Sequence, residues 1–167
     1  MRLMVLSDLH LGHKLMHDLG VRPSNYEDKI FKGLEILRSD DVFVCFGDIT
    51  IGNKDKDWHE RLMEVLPCKK WLIKGNHDRK SYGWYLNYWD FVGETVLLKR
   101  HGINILLSHK PQPKEDYFDI NVHGHIHHDG HVFINDEYHI LIELESNLNL
   151  RNLDSLVQKR LRANELR

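Results

Sequence analysis

The chain begins Met1-Arg2-Leu3-Met4-Val5-Leu6-Ser7-Asp8-Leu9-His10-Leu11-Gly12-His13. Its first seven residues are a short apolar run, the pattern of a buried strand with neighbours on both faces. The run stops where a carboxylate and an imidazole begin, and Gly12 signals a loop. Further along, Ile30, Phe31, Leu34 and Leu37 fall at helical spacing within residues 26–38. Asp40-Asp41 closes that helix and leads into a second apolar strand, Val42-Phe43-Val44-Cys45-Phe46. A second helix is predicted over residues 56–66, with Trp58, Leu62, Val65 and Leu66 inward. Pro67 ends it, and residues 69–74 form a third strand. The order β-α-β-α-β calls for a parallel sheet with helices on its faces.

The second half reads differently. Residues 94–100 and 103–108 flank His101-Gly102, a hairpin turn. Short strands are predicted at 120–122, 131–134 and 138–145, with Asn135-Asp136 turning the last pair. A closing helix runs from Leu153 toward Asn164, capped by Asn152. There is no internal repeat and no low-complexity linker. One α/β domain spanning residues 1–167, with two β-rich halves, is the expectation.

Composition bounds the function. The 167 residues are 41% hydrophobic, enough for a core at the usual size of one domain. Lys plus Arg number 23 against 25 Asp plus Glu, so the net charge of −2 gives no global drive toward nucleic acid or membranes. A nucleic-acid substrate held locally remains compatible with it. The two cysteines form no framework. With no signal peptide, no long apolar run and no CxxC, the expected setting is a reducing cytoplasm, without membrane association. The one unusual count is 13 histidines.

Those histidines gather, with carboxylates, just after predicted strands. Asp8 and His10 follow the first, Asp48 the second, Asn76 and His77 the third. His109 follows residues 103–108, and His125 and His127 follow 120–122. Carboxyl ends of strands are where open α/β sheets build sites, so five segments are expected to converge on one crevice. Asp8 and His10 lie two apart, as do His125 and His127; in extended chain each pair points one way. Glycines 47, 75 and 124 directly precede Asp48, Asn76 and His125, allowing sharp turns or close approach to a metal. Two Asp, four His and one Asn, with no thiolate, suit Mn, Fe, Zn, Ni or Co. Seven ligands are too many for one tetrahedral zinc but enough for two ions sharing a carboxylate. Asp48, with two oxygens, is the natural bridge.

The blocks Asp8-Leu9-His10, Gly47-Asp48, Gly75-Asn76-His77-Asp78, Ser108-His109 and Gly124-His125-Ile126-His127 together resemble the five-block signature of the calcineurin-like metallophosphoesterases, in particular its compact bacterial and phage-type members. The resemblance implies a metallophosphoesterase-like β-sandwich of two mixed sheets flanked by helices. It also implies that Asp8, His10, Asp48 and His127 hold one divalent ion, while Asp48, Asn76, His109 and His125 hold a second. Manganese comes first among candidate metals, with Ni, Fe, Zn or Co as alternatives. By the same resemblance His77 contacts the phosphate and protonates the leaving oxygen, and Asp78 orients His77.

The implied activity is hydrolysis of a phosphate ester by metal-activated water, with a phosphodiester of a nucleotide or short nucleic acid ahead of a small phosphomonoester. A scaffold that kept the fold and lost the chemistry, as one retromer subunit did, is the reading from another class; every signature position is nevertheless present here. The stretch before His109 is short and offers no large lid, so the crevice is expected to be open.

Other features have two readings each. His13 and His123 border the site, and His123 equally reads as core-facing; His128 and His131 look like surface or strand-end residues. Arg79, Lys80 and Lys110 could bind substrate phosphates or form ordinary salt bridges. The aromatic stretch from Tyr82 to Phe91 could stack a base, though packing a helix on the core is commoner. The basic tail from Arg151 to Arg167 carries Leu153, Leu156, Val157 and Leu161 at helical spacing, which reads first as a packing helix.

Overall fold

The computed structural model describes residues 1–127, 138–142 and 149–165. Its elements run β1 (Leu3–Leu6), α1 (Lys14–Asp18), α2 (Tyr26–Leu34), β2 (Val42–Cys45), α3 (Asp55–Val65), β3 (Lys69–Ile73), α4 (Tyr82–Tyr85), β4 (Phe91–Gly93), β5 (Thr95–Arg100), β6 (Ile103–Ser108), β7 (Ile120–His123), β8 (His139–Leu141), β9 (Arg151–Asn152) and α5 (Leu153–Glu165). Two mixed sheets result. One has the order β4-β3-β2-β1-β9, parallel except that β9 runs against β1; the other has the order β5-β6-β7-β8, parallel except for the β5–β6 hairpin.

Side-chain alternation divides the interior into two layers. On one face of the first sheet Met4, Leu6, Phe43, Cys45 and Leu72 meet α2 and α3 through Ile30, Leu34 and Leu62. On the other face Leu3, Val5, Val42, Val44 and Ile73 meet Ile105, Leu107, Ile120 and Val122 of the second sheet. Both faces of β1 and β2 are therefore buried, which is why their sequence is continuously apolar. Leu153, Leu156 and Val157 of α5 complete the inter-sheet layer. Asn152 caps α5 as expected, its Oδ1 accepting from the Ser155 N–H at 3.0 Å.

Several expectations shift. The helix expected over residues 26–38 is α2 and stops at Leu34, and α1 before it was not expected. Strands β4 and β9, of three and two residues, carry no readable alternation and were not expected. The predicted strand at 131–134, the Asn135-Asp136 turn, and His128 and His131 lie outside the described residues, as does part of the strand predicted at 138–145. The aromatic stretch takes its packing role: Trp89 is buried against Phe43, and Trp84, Tyr85, Tyr88 and Trp89 surround the buried His59. Cys45 and Cys68 are both free and buried. Among the described residues no helix is long and apolar enough to cross a membrane.

Candidate metal centre

The ladder between β1 and β2 continues past both strands. The Asp8 N–H donates to the Gly47 carbonyl at 3.1 Å, His10 to Asp48 at 2.9 Å and Leu11 to Ile49 at 2.9 Å. Two ligand-bearing loops are thereby tied together. Within them the backbone leaves the extended region, with φ of +54° at Asp8, +48° at His10 and +51° at Asp48; it does so again at His125 (+71°) and His127 (+49°). The alternation of an extended chain, expected to aim Asp8 with His10 and His125 with His127, is thus replaced by a left-handed kink at each ligand. Asp and His enter that region more readily than most residues.

A layer behind the loop holds it. The buried Arg22 guanidinium donates to the carbonyls of Asp8 and Leu9, both at 2.7 Å, and the Tyr26 hydroxyl donates to the His10 carbonyl at 2.6 Å. These carbonyls would otherwise be buried without partners. Sequence reading missed both residues. Arg22 sits in a loop with no pattern to mark it; Tyr26 stands one turn before Ile30, which places its ring inward but does not reveal what the hydroxyl meets.

Two clusters of candidate ligands result: Asp8, His10 and His127, and Asp48, His109 and His125. In the first, His10 Nε2 lies 3.1 Å from His127 Nε2, and Asp8 Oδ1 lies 3.4 Å from His127 Nε2 and 3.8 Å from His10 Nε2. In the second, His109 Nε2 lies 3.1 Å from His125 Nδ1, 3.0 Å from Asn76 Oδ1 and 3.5 Å from Asp48 Oδ2. Atoms bound to one ion at about 2.0–2.2 Å stand roughly 3.0–3.5 Å apart, so the spacing fits divalent cations. The clusters touch: the His125 N–H donates to Asp8 Oδ2 at 2.9 Å.

The electrostatics fit as well. Asp8 Oδ1 is buried with no hydrogen-bond partner while Oδ2 is fully used, which leaves an acceptor aimed at two imidazole nitrogens. Burial pushes the Asp8 carboxyl above its usual range, and His127 and Ser7 partly oppose it. Burial, followed by His127 and Arg22, holds His10 down to about 2; burial, followed by His109 and Lys110, also lowers His125. Neutral imidazoles are the form that ligates. His109 Nδ1 faces the Phe46 carbonyl at 2.6 Å. A carbonyl only accepts, so the proton belongs on Nδ1 and the Nε2 lone pair points at the cluster.

The surroundings of further residues complete the site. Asp48 Oδ1 accepts the His77 N–H at 2.8 Å, and Oδ2 lies 3.5 Å from His109 Nε2. Asp78, expected to orient His77, instead accepts from the backbone N–H groups of Asp48 (2.8 Å), Ile49 (3.1 Å) and Gly75 (2.8 Å); a carboxylate buried beneath two loops is consumed by their donors. His123 is buried in β7 with its ring 5.0 Å from that of His139, the core-facing alternative. His77 stands at the mouth, its side chain 39% exposed and Nε2 3.9 Å from Asp48 Oδ2; the His13 ring lies 5.9 Å from that of His10.

Close approach explains all three glycines that precede ligands, and a Cβ on Gly47 would collide with the Gly75 backbone. A Cβ on Gly75 would collide with the Asp48 carboxylate, and one on Gly124 with Ser7 Oγ and Asp8 Oδ2. Recesses open beside the clusters. One, of about 410 Å³, is lined by Lys74, Asn76, Thr95, His109, Lys110 and Gln112 among others; another, of about 270 Å³, is lined by Thr50, Gly52, Asp55, His77 and Arg79 among others.

Comparison with known proteins agrees with this geometry. Residues 1–150 match the family model described as calcineurin-like phosphoesterase. An uncharacterized protein of Methanocaldococcus jannaschii, MJ1445, is 23% identical over 159 residues, covering 89% of this chain and 80% of its own. The crystal structure of AQ665, a protein of unknown function from Aquifex aeolicus, superposes with a TM-score of 0.75 at 25% identity over 95% of this chain and 98% of its own. An archaeal phosphodiesterase shares the fold, with a TM-score of 0.54 at 15% identity over 89% and 86% of the two chains.

Proposed function

The chain belongs to the calcineurin-like phosphoesterase family, and on that premise we propose that it is a binuclear metal-dependent phosphodiesterase acting on nucleotides or short nucleic acids. The observation that carries the reading is the pair of touching ligand clusters. Asp8, His10 and His127 would hold one divalent ion and His109, His125 and Asn76 the other, with Asp48 shared by the two. Bound there, the ions would supply Lewis-acid activation of water and of the phosphoryl oxygens. The residues themselves do the rest. Neutral His10 and His125 present lone pairs, and the Phe46 carbonyl, facing His109 Nδ1, leaves His109 Nε2 toward the cluster. The backbone bond from His77 N–H to Asp48 Oδ1 fixes the base of the His77 side chain at the mouth. From there Nε2 holds the proton that a poor alkoxide leaving group needs.

The archaeal relative in fold is itself a phosphodiesterase, which supports diester over monoester. The test is to strip the protein of metal, restore Mn, Ni, Zn, Fe or Mg singly, and compare p-nitrophenyl phosphate with bis-p-nitrophenyl phosphate. Mn- or Ni-dependent turnover of the diester is expected. Asp48→Ala should abolish it, and His77→Ala should lower kcat by roughly 10²–10⁴-fold, the usual contribution of a positioned acid. Monoester preference would make the protein a phosphatase instead. Silence with every metal, despite two ions bound per chain, would turn the reading toward a scaffold.

A further inference from the structure

Three cations follow the ligand blocks in sequence, and the structure separates them. Lys80 is committed, its ammonium 3.5 Å from Asp55. Arg79 and Lys110 are exposed and have no ion-pair partner among the described residues. Each lines a recess that adjoins the candidate metal centre. Lys110 stands in the larger one, beside Asn76 and His109 of the second cluster. Arg79 stands in the smaller one, beside His77, whose ring is 5.7 Å from that of His10 in the first cluster. The two recesses share no lining residue. A third cation of the larger recess, Lys74, is drawn aside: its ammonium donates to the Lys80 carbonyl at 3.0 Å and lies over the Tyr82 ring.

A single phosphate at the metal clusters does not call for two uncommitted cations in two separate recesses. A strand of nucleic acid places a further phosphate on each side of the scissile one. Resting on the phosphodiesterase reading, we propose that Lys110 and Arg79 are flanking-phosphate subsites, and that the substrate is a single-stranded nucleic acid crossing the metal centre from one recess to the other. Grooves that track a backbone with separated cations are how single strands are bound without sequence preference. Thr95 and Gln112 of the larger recess offer polar groups to a base there, while the Glu94 carboxylate accepts the Tyr82 hydroxyl. The overall charge of −2 is compatible, because the attraction is confined to two points.

The test uses the full chain, metal-loaded, with a labelled single-stranded oligothymidylate of about twelve nucleotides, a length within the usual single-strand site sizes. The same strand annealed to its complement and bis-p-nitrophenyl phosphate run in parallel. KM for the single strand should rise with salt. Lys110→Gln and Arg79→Gln should each raise KM roughly five- to tenfold and each reduce the slope of log KM against log salt by about 0.7, the loss of one phosphate contact. An unchanged slope in both variants would overturn the proposal. So would equal losses on strand and bis-p-nitrophenyl phosphate, which would place the cations at the reacting phosphate, and so would preference for the duplex. Cleavage of bis-p-nitrophenyl phosphate without cleavage of any strand would overturn this inference and leave the phosphodiesterase reading intact. Failure on both substrates with every metal would overturn the two together.

Discussion

Left-handed backbone is uncommon outside glycine, yet among the described residues five of the six non-glycine positions that adopt it are candidate ligands; the sixth, His101, turns the β5–β6 hairpin. Each such position costs about 1–3 kcal/mol and persists only where its surroundings enforce it. Here they do so through Arg22, Tyr26, Asp78 and the prolonged β1–β2 ladder. The same crowding makes Gly124 a sensitive small residue at the site. In Gly124→Ala the methyl group meets Ser7 Oγ and the Asp8 oxygen that accepts from His125. The expected outcome is a loss of about 1–3 kcal/mol in urea unfolding, typical of overpacking, together with weaker metal retention on dialysis. A variant that keeps both would show that the loop can yield. Residue types and their order exposed Asp8, His10, Asp48, Asn76, His77, His109, His125 and His127 in the sequence. Arg22, Tyr26 and the partners of Asp78 were not legible, because each acts on backbone atoms distant in the chain that only the fold brings near.

At the level of elements, long apolar runs and strong helical periodicity were readable, and short pieces were not. The first two strands, the second and third helices and the β5–β6 hairpin stand close to where their patterns put them. Two- and three-residue strands such as β9 and β4 have too few residues to show a period; they are extended because β1 and β3 offer them an open ladder. The entry to the first sheet is fixed by charge. Asp41, buried at the start of β2, accepts from Arg2 Nε at 2.8 Å and Nη2 at 2.6 Å and from the Arg38 N–H at 2.9 Å. The Arg2 guanidinium, foremost, and the Arg38 N–H hold its carboxyl well below the usual carboxylate range. A depressed folded value means that the stabilisation is complete above the unfolded value, about 3.9, and is lost as pH falls through that value toward the folded one. The urea midpoint of Asp41→Asn should therefore lie below that of the parent at neutral pH, and the gap should narrow in acid below about pH 4. A gap constant across pH would assign the pair a purely geometric role.

For the whole molecule, the division of the sequence into a βαβ-patterned half and a hairpin-rich half corresponds to the two sheets, although β4 and β9 cross the division by joining the first. The convergence of five blocks follows from that arrangement. The first sheet delivers Asp8, Asp48 and Asn76 at the ends of β1, β2 and β3, and the second delivers His109 and His125 at the ends of β6 and β7. Neither sheet holds a full set, so the candidate centre depends on the apolar layer between them. Sequence periodicity could not announce that dependence, since it is silent on which face of one sheet meets which face of the other.

The first described strand, β1, lies beside the last described one, β9. Until residues 151–165 have left the ribosome, the outer edge of β1 has no partner and the inter-sheet layer lacks Leu153, Leu156 and Val157. The nascent chain thus carries every candidate ligand, His127 included, before the frame that aims them can close. Metal capture would wait on residues that touch no metal. A chain ended after residue 150 is expected to be digested quickly by protease with or without Mn, whereas one carried through residue 165 should resist. Protection of the shorter chain would show that the centre closes without its last strand.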